Sequence, residues 1–432
     1  MLSISMSLLV ILWEEKSRTM IRREDIEIMA PVGSYEALNA AIGAGANSVY
    51  FGVEQLNMRA ASSVNFTLDD LAEIVRTAHA AGVKTYLTVN IVIYDTEMEV
   101  MRRIIDRAKQ EGIDAIIATD LAAILYAREV GMEVHISTQS NISNIEAVKF
   151  FSQWADVVVL ARELSLEQIA YISKQIEEQH ICGPAGELVK IEMFAHGAMC
   201  MSMSGKCYLS EHESHHSANR GACRQICRRK YTITDKDSGQ QLDIDGQYVL
   251  SPKDLCTIDF LDTFIEAGVR VLKIEGRARG GEYVKRVVES YDEALRLLER
   301  GEFTEQSVAP LKEKLRTVFN RDFWGGYYAA KTRVEHSQHY GSSATLKKVY
   351  MGKVTNYFKR IGVAEVLVEA CEVTEGEALL FMGEKTGVVE QRAEGIMVKE
   401  LPVQGAKQGD YMSLKTISEV RRGDKVYKEV ER

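Results

Sequence analysis

From about residue 26 the chain alternates two textures. Short runs rich in aliphatic and β-branched residues fall at 26–30, 48–53, 84–89, 114–118, 132–137, 156–161, 190–195 and 270–275. Between them lie stretches such as LDDLAEIVRTAHAAG and EVMRRIIDRAKQEG, in which apolar residues recur every three or four positions. The first texture predicts strands and the second amphipathic helices. Several helices end at glycine, as at Gly82 and Gly112, where a left-handed residue closes the last turn. Strands that alternate with helical crossovers imply a parallel sheet. Eight such strands suffice to close a (β/α)8 TIM-type barrel. An open doubly wound sheet is the rival, but no G-x-G-x-x-G turn follows the first strand.

Near residue 340 the pattern changes. Alternating runs, among them YMGKVTNYF, GVAEVLVEA, ALLFMGE and YMSLKT, are separated by turns at Gly376, Gly383, Gly409–Asp410 and Gly423–Asp424. This predicts a small antiparallel β-barrel. The expected organisation is therefore an extension at 1–22, disordered or mis-started with Met20 as the true start. A barrel domain follows at 23–340, with an insertion at about 197–250, and then a small β-barrel at 341–432, a candidate RNA-binding domain.

Of the 432 residues, 46% are hydrophobic, enough for large cores, and the formal charge is −9. An acidic chain is not a generic polyanion binder, so any nucleic-acid contact needs a local basic patch. The densest patch is Arg220, Arg224, Arg228, Arg229 and Lys230. It can hold a phosphate backbone, offset thiolate charge, or be a solvated surface. The apolar run in MLSISMSLLVILWEE is too short to span a bilayer and lacks the features of a secretory signal. An odd number of cysteines, seven, suits a reducing compartment. The expectation is a cytoplasmic protein with no stable membrane association.

Four of those cysteines lie within 28 positions: Cys200, Cys207, Cys223 and Cys227, spaced C-x6-C-x15-C-x3-C. Four convergent thiolates suit an iron–sulfur cluster or zinc. His212, His215 and His216 lie between the two pairs and allow a zinc reading with a histidine ligand. The cluster falls in the long connection after the seventh strand, on the face where barrel chemistry is found.

Polar residues just past the other strand ends should face the same mouth. They are Asn57, Arg59, Asn90, Thr119, Asp120, Gln139, Asn141, Arg162, Glu163, His196, Glu275 and Arg277. Such a mouth suits an anionic small molecule, because arginine holds a carboxylate through two parallel hydrogen bonds. From position, Arg59, Arg162 and Arg277 are candidates for substrate binding. Glu275 and His196 are candidates for proton transfer, with Asn90 and Gln139 as further catalytic candidates.

EMFAHGAMCMSMSGKCYLS, NRGACRQICRRKY, SPKDLC and KIEGRARGGEYVKRVVESYDEAL resemble the collagenase-like peptidase family, as does APVGSYEALNAAIGAGANSVYFGV. Despite its name, that family includes enzymes that hydroxylate C5 of the wobble uridine of tRNA with prephenate as hydroxyl source, and the resemblance is closest to that branch. It implies a [4Fe–4S] cluster on Cys200, Cys207, Cys223 and Cys227; Cys256, at the head of the helix before the eighth strand, is an alternative fourth ligand by position. The resemblance implies tRNA and prephenate as partners and a paralogue alongside; Arg224, Arg228, Arg229 and Lys230 of the basic patch are then the candidate RNA contacts. Relatives that hydroxylate a quinone precursor without oxygen keep only the first three cysteines, so Cys227 favours the tRNA branch. The small C-terminal barrel resembles the second domain of translation factors. A peptidase is the other activity the resemblance allows.

Overall fold

The computed structural model describes residues 21–61, 65–242, 250–328, 334–339 and 341–432. Most of the expected N-terminal extension, residues 1–20, lies outside the described residues, as does 243–249 of the insertion.

Eight parallel strands close a barrel. They are β1 (Glu27–Pro31), β2 (Ser48–Phe51), β3 (Lys84–Val89), β4 (Ala115–Ala118), β5 (Glu133–Ile136), β6 (Val157–Val159), β7 (Lys190–Gly197) and, after a short β8 (Asp254–Cys256), β9 (Val269–Ile274). Each pairs with the next, and β9 pairs with both β7 and β1, with Glu27 opposite Val271 and Met29 opposite Lys273. All eight expected strands are present, in the expected order.

Helices cover the outside. Their starts follow local chemistry: Ser34, Asp120, Asn144 and Ser165 each accept a hydrogen bond from a first-turn backbone N–H. The largest apolar cluster sits between strands and helices. A smaller one fills the barrel itself: Met29, Tyr50, Tyr86, Ala115, Ile117, Val157 and Val271.

The chain between β7 and β9 builds the mouth. β8 runs antiparallel to the end of β7, and β10 (Phe323–Trp324) pairs with β8. Gly197 ends β7 at φ +108°, and a Cβ there would stand 2.3 Å from the Glu275 carbonyl oxygen. Only glycine fits that approach, which sets where the insertion leaves the barrel. The insertion then folds back over the mouth. Its Gly221 carbonyl accepts from Ala61 N, and its Asn219 carbonyl from Val92 N. Arg220 pairs with Glu97 and covers the Tyr94 ring at 4.1 Å.

The C-terminal part is an antiparallel sheet of eight strands wrapped around its own apolar core, which includes Met351, Val366, Phe381 and Met412. It packs on the helix Gly281–Glu299, whose buried Arg286 donates to Glu390 at 3.0 Å and Glu429 at 2.6 Å. Among the described residues no helix is long and apolar enough to cross a membrane.

Candidate active site

A cavity of about 230 Å³ opens at the C-terminal face of the barrel, between the strand ends and the insertion. Cys200, Cys207, Cys223 and Cys227 all line it, as do Asn90, Gln139, Arg59, Arg162, Glu275 and Arg277. The wall thus brings together residues from β2, β3, β5, β6 and β9 with the cysteine insertion.

Glu275 organises the cationic side. Arg59 donates to it at 2.6 Å. Burial alone would raise its pKa, but Arg59, Arg162 and Arg277 outweigh burial and hold it down at about 2. A carboxyl so placed is ionised at neutral pH and is a weak base. The expectation that Glu275 transfers protons is therefore corrected: it anchors arginines.

Arg277 donates to Thr88 Oγ1 at 2.9 Å and Asn57 Oδ1 at 3.2 Å, and burial depresses its pKa to about 10. Arg162 lies over the Phe194 ring at 3.6 Å and donates to the Ala198 carbonyl at 3.3 Å. Neither forms an ion pair among the described residues. On another part of the wall Asn90 donates to Ser137 Oγ at 3.2 Å, and Ser137 donates to Gln139.

His196 is not in the cavity. Strict alternation along β7 would turn it inward with Glu192 and Phe194. A register shift places Lys273 opposite Phe194 but Ile274 opposite His196, so one extra residue reverses the parity. The imidazole instead packs among Tyr283, Tyr291 and Phe323, where burial pushes its pKa down to about 3. It is a neutral core residue, and its proposed proton transfer is corrected.

Cys256 is also misplaced by sequence reasoning. It is buried in the apolar core beneath β7, its thiol pushed up to about 12, chiefly by burial, and it does not line the cavity. Cys227 does. Burial raises the thiols of Cys207 and Cys227, and the neighbouring cysteines of the set raise them further. The four thiols are thus close enough to feel one another. Among the described residues, no three His, Cys, Asp or Glu side chains are gathered tightly enough to share one metal ion.

The basic patch divides. Arg224, Arg229 and Lys230 stay at the surface. Arg228, expected as an RNA contact, turns inward: its guanidinium donates to Ser251 Oγ, the Pro252 carbonyl and the Met199 carbonyl, pinning the insertion. A second hollow of about 550 Å³ adjoins the first, lined by Cys223, Arg224, Arg228, Arg229, Arg279 and Arg321, and its lining holds no carboxylate. His216 contacts Arg224 at 2.8 Å, and none of His212, His215 and His216 lines either hollow.

Sequence reasoning missed Lys273, Arg279 and Arg321. The first two carried a readable signal. Lys273, Glu275, Arg277 and Arg279 stand at every second position of KIEGRAR, the spacing that puts side chains on one face of a strand. Arg321 comes from a loop beyond the barrel and carried none.

The family model for peptidase family U32 matches residues 33–338, which include the barrel from β2 onward and the whole cysteine insertion. The chain belongs to peptidase family U32. Within that family, a protein of Porphyromonas gingivalis named collagenase is 54% identical over 94% of this chain and 98% of its own length. The tRNA hydroxylation protein P1 of Bacillus subtilis is 35% identical over 61% of this chain and 62% of its own. The 23S rRNA 5-hydroxycytidine C2501 synthase of Escherichia coli is 37% identical over 65% of this chain and 41% of its own. This U32 chain thus has relatives named for RNA hydroxylation and relatives named for proteolysis.

Proposed function

We propose that this chain hydroxylates C5 of the wobble uridine of tRNA, with prephenate as the hydroxyl source and a [4Fe–4S] cluster held by Cys200, Cys207, Cys223 and Cys227. The observation that carries this reading is that all four insertion cysteines line one cavity beside unpaired arginines. A cubane binds each thiolate through a different iron, so its ligands surround a body rather than converge on a point. Four mutually interacting thiols in one wall fit that donor set. Once bound, the cluster would supply one-electron or Lewis-acid chemistry.

The protein's own residues bind and orient. Prephenate carries two carboxylates, and Arg162 and Arg277 offer two guanidiniums near Glu275 that form no salt bridge among the described residues. Asn90 and Gln139 offer amide donors and acceptors that suit the edge of uracil. The acid-free second hollow suits the phosphates of an RNA strand leading to the cavity. Relatives named for tRNA and rRNA hydroxylation support the same reading.

Identity of 54% to a protein named collagenase favours a peptidase as the second reading. Thiol proteolysis needs a nucleophile with a lowered pKa and a base beside it. The cavity wall holds no histidine, and the thiols of Cys207 and Cys227 are raised.

The test is anaerobically prepared protein incubated with unmodified tRNA, with and without prephenate, followed by mass spectrometry of the nucleosides. Prephenate-dependent 5-hydroxyuridine is expected. Cleavage of gelatin that survives Cys200→Ala, with no modified nucleoside, would move the assignment to the peptidase.

A further inference from the structure

Inside the barrel runs a file of charged groups that the proposed reaction does not use. Barrels of this kind are usually packed with layers of branched apolar side chains. Here Glu133 and His135 on β5, Glu192 on β7 and Lys273 on β9 form a continuous line. Glu133 begins β5 at the N-terminal face, with 45% of its side chain exposed, and its Oε1 lies 3.1 Å from His135 Nε2. His135 Nδ1 stands 3.7 Å from Glu192 Oε2. Glu192 Oε1 accepts from Lys273 Nζ at 2.6 Å. Lys273 reaches the cavity wall, its ammonium 4.6 Å from the centre of the Tyr50 ring.

The side chains of His135, Glu192 and Lys273 are 1%, 0% and 6% exposed. Removing three ionisable groups from water is costly, and packing alone does not call for them. Two buried atoms of the file have no hydrogen-bond partner: His135 Nδ1 and Glu192 Oε2. They face each other across the 3.7 Å gap. An orphaned pair of this kind calls for a reason, and a small rotation of the imidazole or carboxylate would join them.

We propose that this file is a proton path from the N-terminal face of the barrel to the cavity, and that Lys273 is the acid–base group at its end. The proposal rests on reading that cavity as the reaction site. Lys273 gives a proton to a basic atom of the bound substrate. It regains one from Glu192, which takes it from His135 Nδ1; the imidazole keeps its Nε2–H, and a turn of the ring brings the bare nitrogen to the Glu133 end, where it is reprotonated. At each transfer one N–H or O–H bond forms as another breaks. The sum is one proton moved from solvent to substrate, with no electron transferred.

Other ionisable groups border the file. The Tyr86 ring lies 4.6 Å from the imidazole of His135, and its hydroxyl donates to Glu27. Lys84 and Lys190 act on Glu133, and Glu275 and Arg277 follow Lys273 just past the end of its strand. Burial pulls the pKa of His135 down, but Glu133 and Glu192 outweigh it and lift it to about 9, so a proton is held in the file at neutral pH.

The test uses the full chain, with folding of each variant checked by circular dichroism. Lys273→Arg keeps the charge and the ion pair but cannot release a proton near neutral pH. It should leave prephenate binding within about threefold and reduce 5-hydroxyuridine formation by about a hundredfold, the scale of general acid–base catalysis. Glu192→Gln should move the pH–rate profile. In 15N-histidine spectra it should lower the titration of His135 by about one pH unit or more. Turnover retained in Lys273→Arg, or an unmoved pH–rate profile in Glu192→Gln, would overturn the path. If the wild type makes no 5-hydroxyuridine, the proposed function falls. The path is then decided by the titration alone: a His135 titration unchanged in Glu192→Gln overturns it.

Discussion

A carboxylate at a barrel mouth is the usual candidate for an acid, yet the arginines around Glu275 keep it ionised down to about pH 2. It holds Arg59 in an ion pair, while Arg162 and Arg277 stand nearby without a salt bridge among the described residues. A charge-assisted hydrogen bond contributes about 1.5–3 kcal/mol. Titration calorimetry should therefore show Arg162→Ala or Arg277→Ala weakening prephenate binding by about ten- to a hundredfold. His135 carries a second prediction. Its pKa is raised from 6.5 to about 9, so its contribution to stability is complete below about pH 6.5 and lost as pH rises towards 9. Glu275, lowered from 4.5, contributes above about pH 4.5 and loses that contribution as pH falls towards 2. Urea unfolding at stepped pH should show the alkaline decline in the wild type and a flatter one in His135→Gln. Residue roles were legible where polar residues recur at every second position, as along Lys273, Glu275, Arg277 and Arg279, which line the cavity although only Lys273 lies within β9. They were not legible at His196, because a one-residue register shift inside β7 leaves no mark in composition.

Among elements, the insertion is the one that makes the site, and its geometry depends on small features. Gly197 stands where a Cβ would strike the Glu275 carbonyl, in a backbone conformation that other residues avoid. Gly197→Ala should cost about 1–3 kcal/mol, read from the urea midpoint, and should loosen the insertion enough to lower its cofactor content. Sequence spacing placed the four cysteines in the right connection. It could not rank Cys227 against Cys256, because the decision lies in the third dimension. β8 carries Cys256 alongside the end of β7, opposite His196, with its thiol in the apolar core, while the turn at Ile226–Arg228 leaves Cys227 on the cavity wall.

At the scale of the whole molecule, the barrel and the C-terminal sheet are held together through Arg286, whose guanidinium bridges Glu390 and Glu429 with little exposure to water. Removing one member of a buried ion pair costs about 3–5 kcal/mol because the other charges are left unpaired. Calorimetric scans of Arg286→Ala should show that loss, with the domains unfolding less cooperatively than in the wild type. Both domains were readable as a change of period near residue 340, since crossovers and hairpins impose different spacings. The contact between them was not readable, because it depends on which faces meet. The proposed function has the four thiols of the cavity hold an iron–sulfur cluster in which Cys256 takes no part. It is tested most directly by iron and sulfide analysis of anaerobically purified wild type, Cys227→Ala and Cys256→Ala. Iron and sulfide are expected in equal amounts in the wild type and in Cys256→Ala, and are expected to be lost in Cys227→Ala. A colourless, iron-free wild type, or a cluster lost on changing Cys256 and kept on changing Cys227, would contradict it.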